Sequence, residues 1–207
     1  MRVYLARYGD TQSTGILDPY SVPLSAAGQE QATDLAAASV TWDVQLICAS
    51  VTQAAQESAD VVSASLPYVE RWDVDEIEDM NVDDLLGEPT ASPHVSAWTD
   101  EQLALGIQRT WVRTMAFLSR LLLYAEDNDV ATCLVISGPD VAELMLLNWL
   151  GHDWRSRDRL SLQLDPGAAA CVDVLPGGEA RIVWRNRSSG LVRGDGSMVH
   201  TKESHGS

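Results

Sequence analysis

The sequence predicts an α/β domain built on a largely parallel sheet, and three observations carry the prediction. Segments of strand character alternate with segments of helical character over most of the 207 residues. Two short, almost wholly apolar runs, Val44 to Ala49 (VQLICA) and Ala131 to Ile136 (ATCLVI), read as strands covered on both faces, as in a sheet with helices on either side. Hydrophobic residues make up 45% of the chain and charged residues 21%, which is enough apolar material for one core in one domain.

Taken in order, Arg2 to Ala6 alternates, is rich in β-formers and breaks at Gly9, so it reads as a strand leading into a loop. Thr11 to Ser25 is polar and carries Gly15, Pro19 and Pro23, a loop. The Ala, Leu and Gln content of Ala26 to Ala38 predicts a helix with Ser25 as its N-cap. After the strand at Val44 to Ala49, Thr52 to Leu66 is helical in composition. Tyr68 to Val74 reads as a further strand, Asp73 to Glu88 as an acidic block and Pro89 to Ser96 as a loop. Thr99 and Gln102 form a capping box opening a long amphipathic helix to about Tyr124. The strand at Ala131 to Ile136 passes through Gly138 and Pro139 into a helix ending at Gly151. Ala168 to Leu175 and Ala180 to Trp184 flank a Pro-Gly-Gly turn and read as a hairpin. The polar, Gly/Ser-rich stretch Ser188 to Ser207 is expected to be a disordered tail, leaving one domain over 1–187. Ligands of such folds sit beyond the C-terminal ends of the strands, so Arg7 to Thr11 and Ser137 to Asp140 should converge.

Fourteen Lys and Arg stand against 30 Asp and Glu, a formal charge of -16. A surface of that sign repels nucleic acid and anionic membranes, so neither is expected as a partner. No apolar run approaches the roughly 20 residues that span a bilayer. The start lacks the basic segment and long apolar run of a secretory leader, so a cytoplasmic location is expected. Cys48, Cys133 and Cys171 are widely spaced in apolar stretches and read as buried free thiols. The block Asp73 to Asp84 lacks the sixth-position Gly and twelfth-position Glu of a calcium loop and reads as a solvated face. Neither a metal nor a cofactor is expected. The seven tryptophans, spread singly and without accompanying basic residues, read as packing rather than as a stacking platform.

Five segments in register resemble the histidine phosphatase superfamily, the phosphoglycerate-mutase-like fold. Arg7-Tyr8-Gly9-Asp10-Thr11 is similar to that family's R-H-G-(E/D)-T motif after its opening strand. Pro23-Leu24-Ser25-Ala26-Ala27-Gly28-Gln29-Glu30-Gln31-Ala32 is similar to P-L-T-x-x-G-x-x-Q-A. The run Cys48 to Ala59 falls on S-P-L-x-R-A-x-Q-T-A, Val74-Asp75-Glu76 on L-x-E, and Val135 to Asp140 on V-V-S-H-G-G. The resemblance spans roughly residues 1 to 187 and implies a three-layer α/β/α sandwich with a mostly parallel central sheet.

It also implies a missing chemistry. In the family a histidine attacks phosphorus, two arginines and a second histidine hold the phosphoryl oxygens, and a carboxylic acid protonates the leaving group. Here the nucleophile position is Tyr8, the second arginine Ala54 and the second histidine Gly138. Arg7 and Glu76 remain. A phenol, with a reference pKa of about 10, is a poor nucleophile at neutral pH. The candidate acid/base groups are Glu76 and, among the histidines, His94 in the 89–96 loop; His152 is expected at the surface just past its helix. Arg7, Tyr8, Gln12, Gln53, Glu76, Ser137 and Asp140 are the ligand-binding candidates. Their balance with Asp10 is negative, which disfavours a phosphate monoester and favours a neutral or cationic small molecule. Duller roles compete: Asp140 satisfying helix amides, Arg7 paired with Glu76 or Asp140, and Tyr8 as a plug. The expected function is that of a pseudophosphatase binding a protein partner or small molecule. The alternative is an enzyme of altered, non-phosphatase chemistry with Glu76 as general acid/base. The resemblance leaves a homodimer open.

Overall fold

The strand expected at the start of the chain forms as β1 (Arg2–Arg7), with Val3, Leu5 and Ala6 fully buried and Tyr4 nearly so. The computed structural model describes residues 1–12, 21–80, 99–156, 161–175 and 179–188. Around β1 lie β2 (Leu46–Ser50), β3 (Glu70–Val74), β4 (Thr132–Ser137), β5 (Ala168–Val174) and β6 (Ala180–Ser188). They form one six-stranded sheet in the order β3-β2-β4-β1-β5-β6. The first four strands run parallel, whereas β5 is antiparallel to both β1 and β6. The mostly parallel sheet is therefore present, with an antiparallel margin at the expected hairpin.

Among the described residues four helices cover it: α1 (Ala26–Thr41), α2 (Gln53–Ser65), α3 (Asp100–Asp127) and α4 (Pro139–Trp149). Period-2 alternation sorts the two faces. Val3, Leu5, Cys48 and Val135 pack with Phe117 and Leu121 of α3 and Met145 of α4. Tyr4, Ala6, Ile47 and Ile136 pack with Leu35 of α1 and Ala59 and Val62 of α2. The result is the three-layer α/β/α sandwich, and all three cysteines are buried free thiols within it.

Boundaries shift where local chemistry overrides composition. Tyr68 is 99% exposed and sits in a turn, so β3 starts at Glu70. Helix α3 continues past Tyr124 to Asp127 because Ala125 is still buried, and it ends where Asp129 takes a positive φ of 55°. Its capping box of Thr99 and Gln102 forms as expected. Strand β6 runs on to Ser188, the residue at which the tail was expected to begin; the rest of that segment lies outside the described residues. Tryptophans pack as expected: Trp42 stacks on Tyr4 at 4.2 Å between ring centroids, and Trp184 tilts against both.

The loop leaving β1 is fixed by close backbone approach. A Cβ on Gly28 would lie 2.0 Å from the Asp10 carbonyl oxygen, and one on Gly9 would lie 2.4 Å from that of Gly28. Ser25 caps α1 by accepting from the Gly28 amide while its hydroxyl donates to Asp10 at 2.8 Å. Gln31 accepts from the Asp10 amide at 2.7 Å. Space, not backbone angle, demands glycine here. Gly28→Ala should therefore destabilise the fold by about 1–3 kcal/mol through overpacking, against the ~1 kcal/mol that Ala gains over Gly in a helix. Urea denaturation measures the difference, and a neutral or stabilised variant would contradict the close approach.

Candidate functional site

Parallel register sets Arg7 beside Ser137 at the C-terminal ends of β1 and β4, and the Tyr8 amide donates to the Ser137 carbonyl at 3.0 Å. The two expected segments thus converge. Ser137 is buried, and its hydroxyl donates to the Gly138 carbonyl at 3.5 Å. Gly138 is the N-cap of α4 and Pro139 its first residue, so the helix starts with no capping side chain of its own.

The acceptor comes from elsewhere. Asp79 follows the 3-10 turn Asp75–Ile77, and its Oδ1 accepts from the amides of Asp140 at 3.1 Å and Val141 at 3.4 Å. Its Oδ2 accepts from the Tyr8 hydroxyl at 3.2 Å. A Cβ on Gly138 would lie 1.6 Å from that same oxygen. The glycine is what leaves room for the carboxylate.

This carboxylate is held in an unfavourable place for charge. Desolvation, followed by the nearby Asp140 charge, pushes the Asp79 carboxyl up to about 7, while the two amides and the Tyr8 hydroxyl pull the other way. Tyr8 is driven above the ordinary phenol range by burial first and then by Asp79, with Arg7 opposing. Its ring packs beside Leu24, Ala32 and Ala54, all buried. Ala54 therefore lines the Tyr8 pocket from the first turn of α2.

The remaining candidates scatter. Arg7 donates through Nη1 to the Leu164 carbonyl at 2.9 Å, and its Nε is buried without a hydrogen-bond partner among the described residues. Glu76 pairs with Arg120 of α3 at 3.0 Å, its side chain 30% exposed; of the two pairings expected for Arg7, with Glu76 or Asp140, the one with Glu76 is replaced by these two separate contacts. Gln12 donates to the Leu24 carbonyl at 3.1 Å. Gln53 donates to Glu57 at 2.8 Å, and Glu57 in turn accepts from the Leu24 amide. Asp140 was expected to satisfy helix amides with its carboxylate; the amides of 140 and 141 themselves donate to Asp79. His152 is exposed just beyond α4, as expected. His94 lies outside the described residues.

The geometry now meets its relatives. The family model described as "Histidine phosphatase superfamily (branch 1)" matches residues 3–187, and the chain belongs to that family. A search of the curated proteins finds no match. Among solved structures, the chain is similar to the α-ribazole phosphatase of Shigella flexneri, at 22% identity and a TM-score of 0.72 over 91% of this chain and 97% of that one. It is also similar to Bacillus stearothermophilus YhfR, at 14% identity and a TM-score of 0.68 over 88% and 95%. A mycobacterial glucosyl-3-phosphoglycerate phosphatase solved with inorganic phosphate gives 14% identity and a TM-score of 0.69 over 92% and 99%. At these identities the likeness carries the fold.

Sequence reasoning missed Asp79, which sits inside the acidic block read as a solvated face. One signal was available: a helix opening with Gly138-Pro139 needs an acceptor for its first amides. Nothing in the sequence said which of the carboxylates would supply it.

Two tests follow from this geometry. Gly138→Ala should cost about 1–3 kcal/mol in the wild-type background and much less in an Asp79→Ala background, because the clashing atom is then gone. A double-mutant cycle by urea denaturation reads the coupling, and additive costs would refute the contact. The second test concerns pH. The folded Asp79 holds its proton up to about pH 7, whereas an unfolded one loses it near 3.9. The native state binds more protons in that window, so the contribution of this group to stability falls as pH rises from about 4 to 7 and is flat above. Asp79→Asn lacks the titration and should gain about 1–3 kcal/mol on wild type across the window. A pH-independent difference would contradict the raised carboxyl.

Proposed function

We propose that this chain is a histidine-phosphatase-fold protein that does not transfer phosphoryl groups and acts by binding a protein partner or a neutral or cationic small molecule. One observation carries the reading: the Asp79 carboxylate sits on the first amides of α4 and on the Tyr8 hydroxyl. These are the two places to which the family resemblance gives histidines. Phosphoryl transfer is catalysed by positioning and by positive charge around a spread-out anionic transition state. An acid there brings no positive charge, and once ionised it opposes that charge, while each lost donor costs roughly 10²- to 10³-fold by analogy with oxyanion holes. Tyr8 is held further from its phenolate by its surroundings. Among the described residues no helix is long and apolar enough to cross a membrane.

The altered-chemistry alternative is favoured by one finding only, and it moves the acid/base role from Glu76 to Asp79. Glu76 is engaged by Arg120, whereas Asp79 has a carboxyl poised near neutrality beside Tyr8.

The wild-type protein should hydrolyse p-nitrophenyl phosphate no faster than buffer between pH 5 and 8, and millimolar inorganic phosphate or vanadate should not raise its melting temperature. Turnover abolished by Tyr8→Phe would overturn the reading.

A further inference from the structure

Arg113 is the side chain that ties the Asp79 turn to the rest of the molecule. From α3 its Nη1 donates to the carbonyls of Asp75 (3.4 Å), Glu76 (3.2 Å) and Glu78 (3.1 Å). Its Nη2 donates to the carbonyl of Asp79 itself and to the Thr110 hydroxyl one turn earlier in α3, both at 3.4 Å. Four carbonyl contacts within five residues from one guanidinium use the planar five-donor fork that only arginine offers. The same helix reaches the turn a second time seven residues on, where Arg120 pairs with the Glu76 side chain. Residues seven apart share a helix face. One arginine thus holds the backbone of the turn and the other a side chain.

The tether has something to oppose. Asp75, Glu76, Glu78 and Asp79 crowd carboxylates into five residues, and Asp79 is aimed at a place where its charge is desolvated. Among the described residues, the charged and titratable groups around Asp79 are Tyr8 and the adjacent Arg7 at the end of β1, Asp140 on α4 and Arg113 on α3. The end of β4 supplies Ser137 and Gly138, neither of which titrates. With like charge at Asp140 and, among the described residues, no cation hydrogen-bonded to its carboxylate, Asp79 gains by swinging out to water unless its backbone is held.

We propose that Arg113 is a positioning residue and that the 75–79 turn is a latch: Arg113 keeps the Asp79 carboxylate seated at the start of α4, where it closes that place to any outside anion. Releasing the latch should leave the fold intact, free the carboxylate into water and open the helix end. The inference deepens the proposed function and rests on it only in taking the end of α4 as the binding seat.

The test uses the full chain with Arg113→Gln, Arg113→Lys and Asp79→Ala, folding being checked by thermal melting. Two readouts are taken: the titration of the Asp79 carboxyl by carbon-detected NMR, and the affinity for inorganic phosphate by calorimetry. In Arg113→Gln the carboxyl should titrate at lower pH, toward the ordinary carboxylate range, and phosphate should bind at least tenfold more tightly than to wild type. Asp79→Ala should set the upper limit of that gain. Arg113→Lys keeps the charge but loses the fork, and should shift both readouts in the same direction by less; it stands in if the glutamine variant does not fold. A merely structural arginine would lower the melting temperature while leaving the Asp79 titration and phosphate affinity where they were, and that result overturns the proposal. So does an Asp79→Ala protein that gains no phosphate affinity, which would leave the absence of turnover untouched. Hydrolysis of p-nitrophenyl phosphate by the wild type would instead refute the proposed function while leaving the titration result standing.

Discussion

A carboxylate taken partly out of water and set on the first amides of a helix is the contact on which the rest of this site depends. Unpaired helix amides and a desolvated carboxylate are each costly, and together they satisfy one another. The exchange is incomplete, since Asp140 adds like charge and burial outweighs the hydrogen bonds, leaving the Asp79 carboxyl near 7. Three neighbours are constrained by this one group. Gly138 must lack a Cβ, Tyr8 must keep its proton to donate, and the 75–79 backbone must be drawn in by Arg113.

The sheet makes the contact possible. Parallel pairing of β1 with β4 delivers Tyr8 and the start of α4 to the same end of the molecule, and the packing of α3 against the turn after β3 delivers Asp79 from the other direction. Close backbone approach between Gly28 and Asp10 fixes the loop leaving β1, so Tyr8 has little freedom to retreat. The charge of -16 acquires a local meaning here. Acidic residues are not confined to the solvated surface; one carboxyl group is built into the site itself, where members of a phosphatase family need cations.

Legibility followed the range of the interactions. The capping boundaries at Ser25 and Thr99 and the doubly covered strands at 46–50 and 132–137 depend on neighbours a few residues away, and the sequence shows them. So does the convergence of Arg7 and Ser137, because strand order in an α/β sheet constrains where loops meet. The partners of Arg7 and Glu76 did not follow. Each of these side chains had several oppositely charged or polar groups within plausible reach, and which pair forms depends on ångström-scale placement. Arg7 took a carbonyl at Leu164 and Glu76 took Arg120, neither of which has any signature in spacing.

By itself the sequence determined the layered fold, the family and the absence of histidine at positions 8 and 138, because hydrophobic period and residue identity are properties of the chain. Only the tertiary structure decided what stands in their place. Asp79 and Asp140 lie 61 residues apart, and a carboxylate in an acidic run looks the same in sequence whether it faces water or a helix end. The difference is made by a desolvated contact across three elements, and such a contact exists only once the chain has folded.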